Sequence, residues 1–196
     1  MAFDVSTFRA NLLNDGARPS LFQVTIPFPT GAYGGAAVPP VVGAGGVNAL
    51  NATGSLSFVC RAASLPADSI SSIVIPYFGR EIKVAGTRTF SQWSVTIIND
   101  ESFSVRNNLE VWMNTINSHV GNIRSPGYSP PASYQTDAIV TQYGKTGPQN
   151  VIKRYTLVGA FPTDVAAIDL DWALGDQIEE YTVTFDYQWW VSNTTT

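Results

Sequence analysis

The stretch Glu180-Tyr181-Thr182-Val183-Thr184-Phe185-Asp186-Tyr187-Gln188-Trp189 alternates polar and apolar side chains without a break. In an extended chain successive side chains point to opposite faces, so Tyr181, Val183, Phe185, Tyr187 and Trp189 share one side. Glu180, Thr182, Thr184, Asp186 and Gln188 share the other, and the segment reads as one long half-buried strand. The pattern recurs upstream. Phe22, Val24 and Ile26 alternate with Gln23 and Thr25; Leu56, Phe58 and Cys60 with Ser55, Ser57 and Val59; Trp93, Val95 and Ile97 with Ser94 and Thr96. Shorter strand candidates lie at 72–76, 80–84, 137–143 and 151–158. β-branched and aromatic residues fill nearly all of these runs. One wet and one dry face per strand implies antiparallel sheets packed as a β-sandwich or barrel, a mainly β fold.

One segment has a different period. Val105, Leu109, Trp112, Met113, Ile116 and Val120 fall on one face of an α-helix, predicted over about 105–120. Asn99, Asp100 and Ser102 offer N-cap oxygens upstream, and Gly121 offers a permissive position at the C-terminus. This helix is expected to lie across a sheet or a barrel mouth, its aromatic and Met stripe serving as core. From 27 to 54 the chain turns to Gly, Ala and Pro, and Pro39-Pro40 and Gly45-Gly46 exclude helix or central strand there. It reads as a long loop inserted between two strands. A second loop at 125–133 holds Pro126, Pro130 and Pro131. No internal repeat is visible, so 1–196 is read as a single domain with 27–54 as an insertion within it.

The chain has 196 residues, enough for one domain with a sizeable core. Its hydrophobic fraction of 44% is ordinary, but only 13% of residues are charged, against about a quarter in most soluble domains. An exterior so poor in charge is expected to be covered in the working state, which favours an oligomer. The net charge is −4, from 11 basic and 15 acidic residues, and the densest basic pair is Lys153-Arg154. A nucleic-acid binder needs a clustered cationic surface, and none is present. The lone Cys60 excludes an intrachain disulfide and, within a strand-like run, reads as a small buried hydrophobe. Met1-Ala2-Phe3-Asp4 lacks the basic-then-apolar signature of a secretory signal, and no apolar run approaches a membrane span. Synthesis in a cytoplasm, without stable membrane anchoring, is the expectation.

The motifs that could carry chemistry each have a plainer reading. His119 is the only histidine, near the predicted helix C-terminus, where a cation is ordinary; no Gly-x-Ser-x-Gly nucleophile elbow accompanies it. Gly144-Lys145-Thr146 ends like a phosphate-binding loop, but Ile139 stands where that loop needs glycine, so the segment reads as a turn between strands. Asp164, Asp169 and Asp171 form the densest acidic run, and Asp169-Leu170-Asp171-Trp172 reads as a short edge segment of alternating exposure. Calcium needs six or more oxygens and a Gly-turned loop, and one His with one Cys leaves no zinc site. No catalytic, cofactor-binding or metal-binding residues are predicted. The five tryptophans and eight tyrosines allow a carbohydrate-binding sandwich instead, which predicts a stable monomer with an exposed aromatic platform. A β-sandwich hydrolase is the remaining rival, weakened by the missing motifs.

Several distinctive segments remain, in a fixed order. Ala17-Arg18-Pro19-Ser20-Leu21-Phe22-Gln23-Val24 opens the first strand, and Leu65-Pro66 follows Cys60-Arg61-Ala62-Ala63. Next comes Val84-Ala85-Gly86-Thr87-Arg88-Thr89-Phe90-Ser91-Gln92-Trp93-Ser94-Val95-Thr96, closing on Asn99-Asp100-Glu101. Phe161-Pro162-Thr163, Ile168-Asp169-Leu170-Asp171-Trp172 and Ile178-Glu179-Glu180 complete the set. From about 15 to 190 the chain resembles the T4-like tail tube proteins of contractile-tailed bacteriophages. The resemblance implies a virion structural protein, without cofactor or catalysis, assembled in the host bacterial cytoplasm. Six subunits would join sheets edge to edge into a ring, and rings would stack into a tube. A sheath that contracts around the tube, a tape measure protein and a baseplate are the implied partners. Viral DNA would pass through the lumen without specific binding. The resemblance places the contact with neighbouring subunits and the next ring in 62–90, with Pro66, Tyr77, Phe78, Arg80, Arg88 and Phe90 as interface residues. Six subunits of −4 carry about −24 per ring, which would repel phosphate over a screening length of about 8–10 Å if it lined the lumen. Two departures stand out. Thr87 sits where the family usually carries Asp, which removes an expected salt bridge, and 27–54 is longer than the usual short turn. The inner tube of a contractile injection system, secretion-like or bacteriocin-like, shares this fold and is the alternative.

Overall fold

A computed structural model of the chain describes residues 5, 8, 10, 16–29, 55–56, 60–173 and 175–195. The strands in chain order are β1 (Phe22–Pro27), β2 (Ser55–Leu56), β3 (Cys60–Ala63), β4 (Asp68–Tyr77), β5 (Arg80–Phe90), β6 (Trp93–Ile98), β7 (Thr136–Tyr143), β8 (Val151–Val165), β9 (Glu180–Asp186) and β10 (Trp189–Ser192). One helix, α1 (Ser104–Ile116), lies between β6 and β7. All pairings are antiparallel. Eight strands form one sheet in the order β2-β1-β7-β8-β9-β6-β3, with β10 added on β8, while β4 and β5 form a separate two-stranded ribbon. β3 returns close to β1, so the large sheet curls back over itself around the core.

β8 is the strand that makes this curl. Its first half pairs with β7 and β10, and its last residues, from Phe161, pair with β9. Between the halves sits Gly159 at φ 67°, a left-handed conformation that glycine adopts without a Cβ clash. Bulges on both sides, between Thr136 and Ala138 and between Pro162 and Asp164, tighten the turn of the sheet. A single long strand thereby belongs to both layers, as at the corner of a sandwich.

The alternation read from sequence defines the core. Val24 and Ile26, Trp93, Val95 and Ile97, and Tyr181, Val183 and Phe185 are all buried, with Ala138, Val140 and Leu157 opposite. α1 closes the core through Val105, Leu109 and Trp112. Trp112 lies edge-on to Phe28 at 5.7 Å, near Phe185, and its indole N–H donates to the Tyr134 carbonyl at 2.8 Å. That bond satisfies the one polar atom of an otherwise apolar anchor.

Four expectations need correction. The run 180–189 is not one strand. Tyr187 and Gln188 interrupt it, Gln188 N–H donates to Val158 O at 3.0 Å, and the chain resumes along the same edge of β8 beyond the Gly159 corner. Trp189 therefore begins β10 and is exposed. The helix stops at Ile116 instead of near 120, because Asn117 is extended and its side chain bonds Asn122. Val120 and Gly121 consequently lie beyond the helix, with Val120 fully exposed. Asp169-Leu170-Asp171-Trp172 is not an edge strand but an exposed irregular loop. Finally, Phe103 occupies the N-cap position in a left-handed conformation, and Asp100 caps from further back by accepting Ser104 N–H and Ser104 Oγ–H. The strand read through Leu56 and Cys60 and the loop read at 27–54 both fall partly outside the described residues, the latter from residue 30 to 54.

Candidate subunit interface

The segment singled out for subunit contacts is the β4–β5 ribbon and its root. Its register sets Tyr77 opposite Arg80, Ile75 opposite Ile82 and Ile73 opposite Val84. Directly opposed residues share a face of the ribbon, and so do residues two apart along each strand. One face therefore carries Ile73, Ile75, Tyr77, Ile82 and Val84, with Arg80 at its tip. The other carries Val74, Pro76, Glu81 and Lys83. None of these side chains is buried, and the five apolar ones of the first face are each about half exposed. Fully covering a Val or Ile side chain is worth about 1.5–3 kcal/mol, so sealing this face has on the order of 4–7 kcal/mol available. An exposed apolar face of this kind is the sort of surface that binding to a partner would cover.

The tip is a two-residue turn with Phe78 at φ 44° and Gly79 at φ 76°. Two successive positive φ values match the twist of the flanking strands, which is why Gly, Asn or Asp are the ordinary choices. Phe78 is neither, and it is 92% exposed, so an aromatic ring stands in a disfavoured conformation at the outermost point of the ribbon. Its ring meets that of Tyr77 edge-on at 4.7 Å. At the root, Arg88 pairs with Asp68 at 3.0 Å within the same chain. Thr87 N–H and carbonyl both bond Ser71 Oγ, which holds the bulge of the ribbon.

The six residues named from sequence thus separate. Tyr77, Phe78 and Arg80 stand together and exposed at the tip. Pro66 is half-buried at the root, and Phe90 packs on the core with its ring 6.1 Å from Tyr187. Ile73, Ile75, Ile82 and Val84 were not singled out by sequence. Their alternation looks like that of any half-buried strand, and only the fold shows that they are left exposed among the described residues.

A second exposed feature lies at the far end of the β3–β6–β9 layer. An open cleft of about 1030 Å³ is lined by Arg61, Ile98, residues 167–172 and residues 176–180. Leu170, Trp172 and Ile178 project from its rim, Trp172 fully exposed. Glu179 is tied to Asn99 by two bonds, backbone and side chain, and Arg61 pairs with Glu180. Asp169 and Asp176 have no ion-pair partner among the described residues.

The titratable groups with shifted behaviour are structural. Burial pushes the Cys60 thiol up to about 11, against a smaller lowering by its bond to Ala62 O, so it is an unreactive thiol at neutral pH. Burial raises Tyr181, partly offset by the Arg106 guanidinium 5.2 Å over its ring. His119 is exposed beyond the helix, its Nδ1 3.0 Å from Asn114 Oδ1. Gly144-Lys145-Thr146 lies in the β7–β8 turn, with Gly144 N–H donating to Asn150 O at 2.8 Å. Among the described residues no three His, Cys, Asp or Glu side chains gather as metal ligands, and no helix is long and apolar enough to cross a membrane.

Residues 17–193 match the family described as phage tail tube protein. The chain belongs to the phage tail tube protein family. Tail tube protein gp19 of Enterobacteria phage T4 is 34% identical over 182 residues, covering 93% of this chain and 95% of that protein. The tail tube protein of Serratia phage KSP90 is 26% identical, with 93% of each chain covered. The chain is accordingly a structural subunit of a phage tail tube, located in the virion tail. The fold extends further. A chain in the six-fold symmetrised anti-feeding prophage baseplate superposes with a TM-score of 0.60 at 12% identity, covering 90% of this chain and 95% of that one. A chain in the sheath–tube complex of the extracellular contractile injection system PVC gives 0.58 at 12% identity, covering 98% and 99%. At that identity the likeness is one of fold.

Proposed function

We propose that this tail tube subunit closes into six-membered rings which stack into a rigid conduit for viral DNA, inside a contractile sheath. The observation that carries this reading is the β4–β5 ribbon, whose exposed apolar face has no cover among the described residues. The outer edges of β3 and β10 support it as well, since neither has a strand partner among the described residues. An unpaired edge templates pairing with another chain, and a head-to-tail contact that closes by rotation makes a ring. Pro66, Tyr77, Phe78, Arg80, Arg88 and Phe90 act at the resulting interface, the tip residues by contact and Pro66 and Phe90 by setting the ribbon on the body.

In this reading 1–196 is one domain and 27–54 an insertion; the pairing of Pro27 with Ser55 supports it, because the chain leaves and returns at adjacent points. The lumen wall is the outward face of β3, β6 and β9, which carries Ser94, Thr96, Thr182, Thr184 and Asp186. Its one cation, Arg61, is neutralised by Glu180. A wall of hydroxyls and carboxylates gives phosphate nothing to hold, so DNA passes without sticking. The protein acts mechanically, with no cofactor and no catalysis. Sheath, tape measure and baseplate proteins are its partners, and assembly takes place in the host cytoplasm.

Negative-stain electron microscopy of the purified protein tests this. Six-fold rings or tubes are expected, and a monodisperse monomer at high concentration would overturn the reading. The fold likeness to injection-system chains keeps the alternative of a tube with a different cargo, which the absence of capsid and terminase genes beside this one would favour.

A further inference from the structure

The basic residues are scattered along the sequence, yet the fold gathers four of the eleven at one end of the β1–β7–β8–β10 layer. The turn from β7 to β8 is closed by Gly144 N–H on Asn150 O at 2.8 Å and by Asn150 Nδ2–H on Thr146 Oγ1 at 2.9 Å. It stands beside the start of β1, where Tyr143 N–H donates to Leu21 O at 2.8 Å and Gln142 Nε2–H to Arg18 O at 3.4 Å. β10 ends here too, with Asn193 N–H on Arg154 O at 3.3 Å and Lys153 Nζ–H on Thr194 Oγ1 at 2.6 Å. Arg18, Lys145, Lys153 and Arg154 are thereby neighbours in space. A cleft of about 580 Å³ between turn and strand is lined by Arg18, Leu21, Tyr143, Lys145, Thr146 and Ile152. None of the fifteen acidic residues falls within 16–24, 140–158 or 189–195, and Asp15 lies outside the described residues. Val151 and Ile152 stand exposed among the cations.

This end is remote from the surfaces of the other layer. The ribbon leaves the body where β3 ends and β6 begins, with Trp93 Nε1–H on Ser64 O at 2.7 Å. The acidic cleft lies at the opposite end of β6, around Ile98, Glu179 and Glu180. Lys153 and Arg154, by contrast, precede the Gly159 corner of β8 by about 20 Å of strand, at 3.3 Å per residue. Successive side chains of a strand face opposite ways: Lys153 lies over the Tyr155 ring on the core side, which leaves Arg154 and Ile152 on the outward face. With the lumen wall on β3, β6 and β9, that face is the exterior of the tube. We infer that the basic end of this layer docks the sheath, and that it takes an acidic segment carrying aliphatic side chains. Carboxylates of that segment meet Arg18, Lys145 and Arg154 in charge-assisted hydrogen bonds, and its aliphatic groups cover Val151 and Ile152. A duplex would need a continuous cationic track along its phosphates, and four bases mixed with aliphatic side chains on an acidic subunit supply none. The inference rests on the tube reading and adds the face and the charge of the sheath contact. Exposed ion pairs are individually weak and screened by salt, so a contact repeated on every subunit holds the sheath and still releases it as it contracts.

The test is co-sedimentation of tubes with the purified sheath protein of the same virion, using wild type and Lys153→Glu with Arg154→Glu. Thermal melting by circular dichroism checks that the variant folds. Wild-type tubes are expected to carry the sheath protein down at about 0.05 M salt and to lose most of it at about 0.5 M. Variant tubes are expected to form normally and to carry about ten-fold less, or lower still, at low salt. Sheath protein left behind by wild-type tubes, or carried down equally by variant tubes, overturns the docking and leaves the tube reading standing. So does binding that ignores salt. A variant that melts normally but forms no tubes makes this end a joint between copies, and bare tubes that retard DNA through these residues make it a nucleic-acid surface; either result overturns the assignment to the sheath. A wild-type protein that forms no tubes overturns the tube reading as well. Because Lys153 packs on Tyr155 and bonds Thr194, the reversal can unfold the chain; Lys145→Gln with Arg154→Gln, both exposed, then gives the same comparison.

Discussion

At Gly159 the backbone takes φ 67° where β8 passes from one layer to the other. A Cβ there would lie 3.1 Å from Gln188 Cγ and 3.2 Å from Gln135 Oε1, and an L-residue would also bear the strain of the left-handed conformation. Gly159→Ala is therefore expected to destabilise the fold by about 1–2 kcal/mol, read as a lower urea midpoint at unchanged slope. An unchanged midpoint would show that the corner is made by the bulges alone. Phe78 is the opposite case: a residue badly suited to its backbone, 92% exposed and touching only the neighbouring Tyr77 ring among the described aromatic contacts. Sequence marked it through the family resemblance, but its strain and exposure came from the fold.

At the scale of elements, α1 and the β4–β5 ribbon respond to mutation in different ways. α1 is held by Asp100, whose carboxylate accepts Ser104 N–H at 3.1 Å and Ser104 Oγ–H at 2.8 Å and also bonds Ser102. Asp100→Ala removes this cap and is expected to cost about 1 kcal/mol of stability, measured by chemical denaturation. The ribbon behaves otherwise. Its apolar face touches no core, so Ile75→Ser with Ile82→Ser is expected to leave the melting temperature of the unassembled subunit nearly unchanged. The same pair is expected to abolish tube formation seen by electron microscopy. A large loss of stability without loss of assembly would show that the ribbon packs inward.

The two elements also differ in how legible they were. The period of 3.6 located α1, but its last turn went wrong at Ile116, because the bond from Asn117 to Asn122 is a loop interaction that no periodicity reports. The ribbon's strands were legible as strands. Their exposure was not, since alternation states which residues share a face and never what lies against it.

For the whole molecule the governing quantity is the distribution of charge. With a net charge of −4 and a basic surface of four residues per subunit mixed with aliphatic side chains, the assembled protein is expected not to retard duplex DNA in a gel at about 0.15 M salt. Retardation at sub-micromolar protein would contradict a non-adhesive conduit. The low charge fraction, odd for a free monomer, makes sense once ribbon and strand edges are contacts.

The sequence by itself determined the antiparallel β class, the core residues of β1, β6 and β9, the helix and the family, because burial periodicity and ordered motifs are local properties of the chain. Only the tertiary structure decided that the run from Glu180 to Trp189 serves two layers, broken at Tyr187-Gln188 where it follows β8 past the Gly159 corner. It alone set the ribbon and the acidic cleft at opposite ends of β6. Pairing partners, register and the direction of a projection depend on residues far apart in the chain. No periodicity within ten residues carries that information.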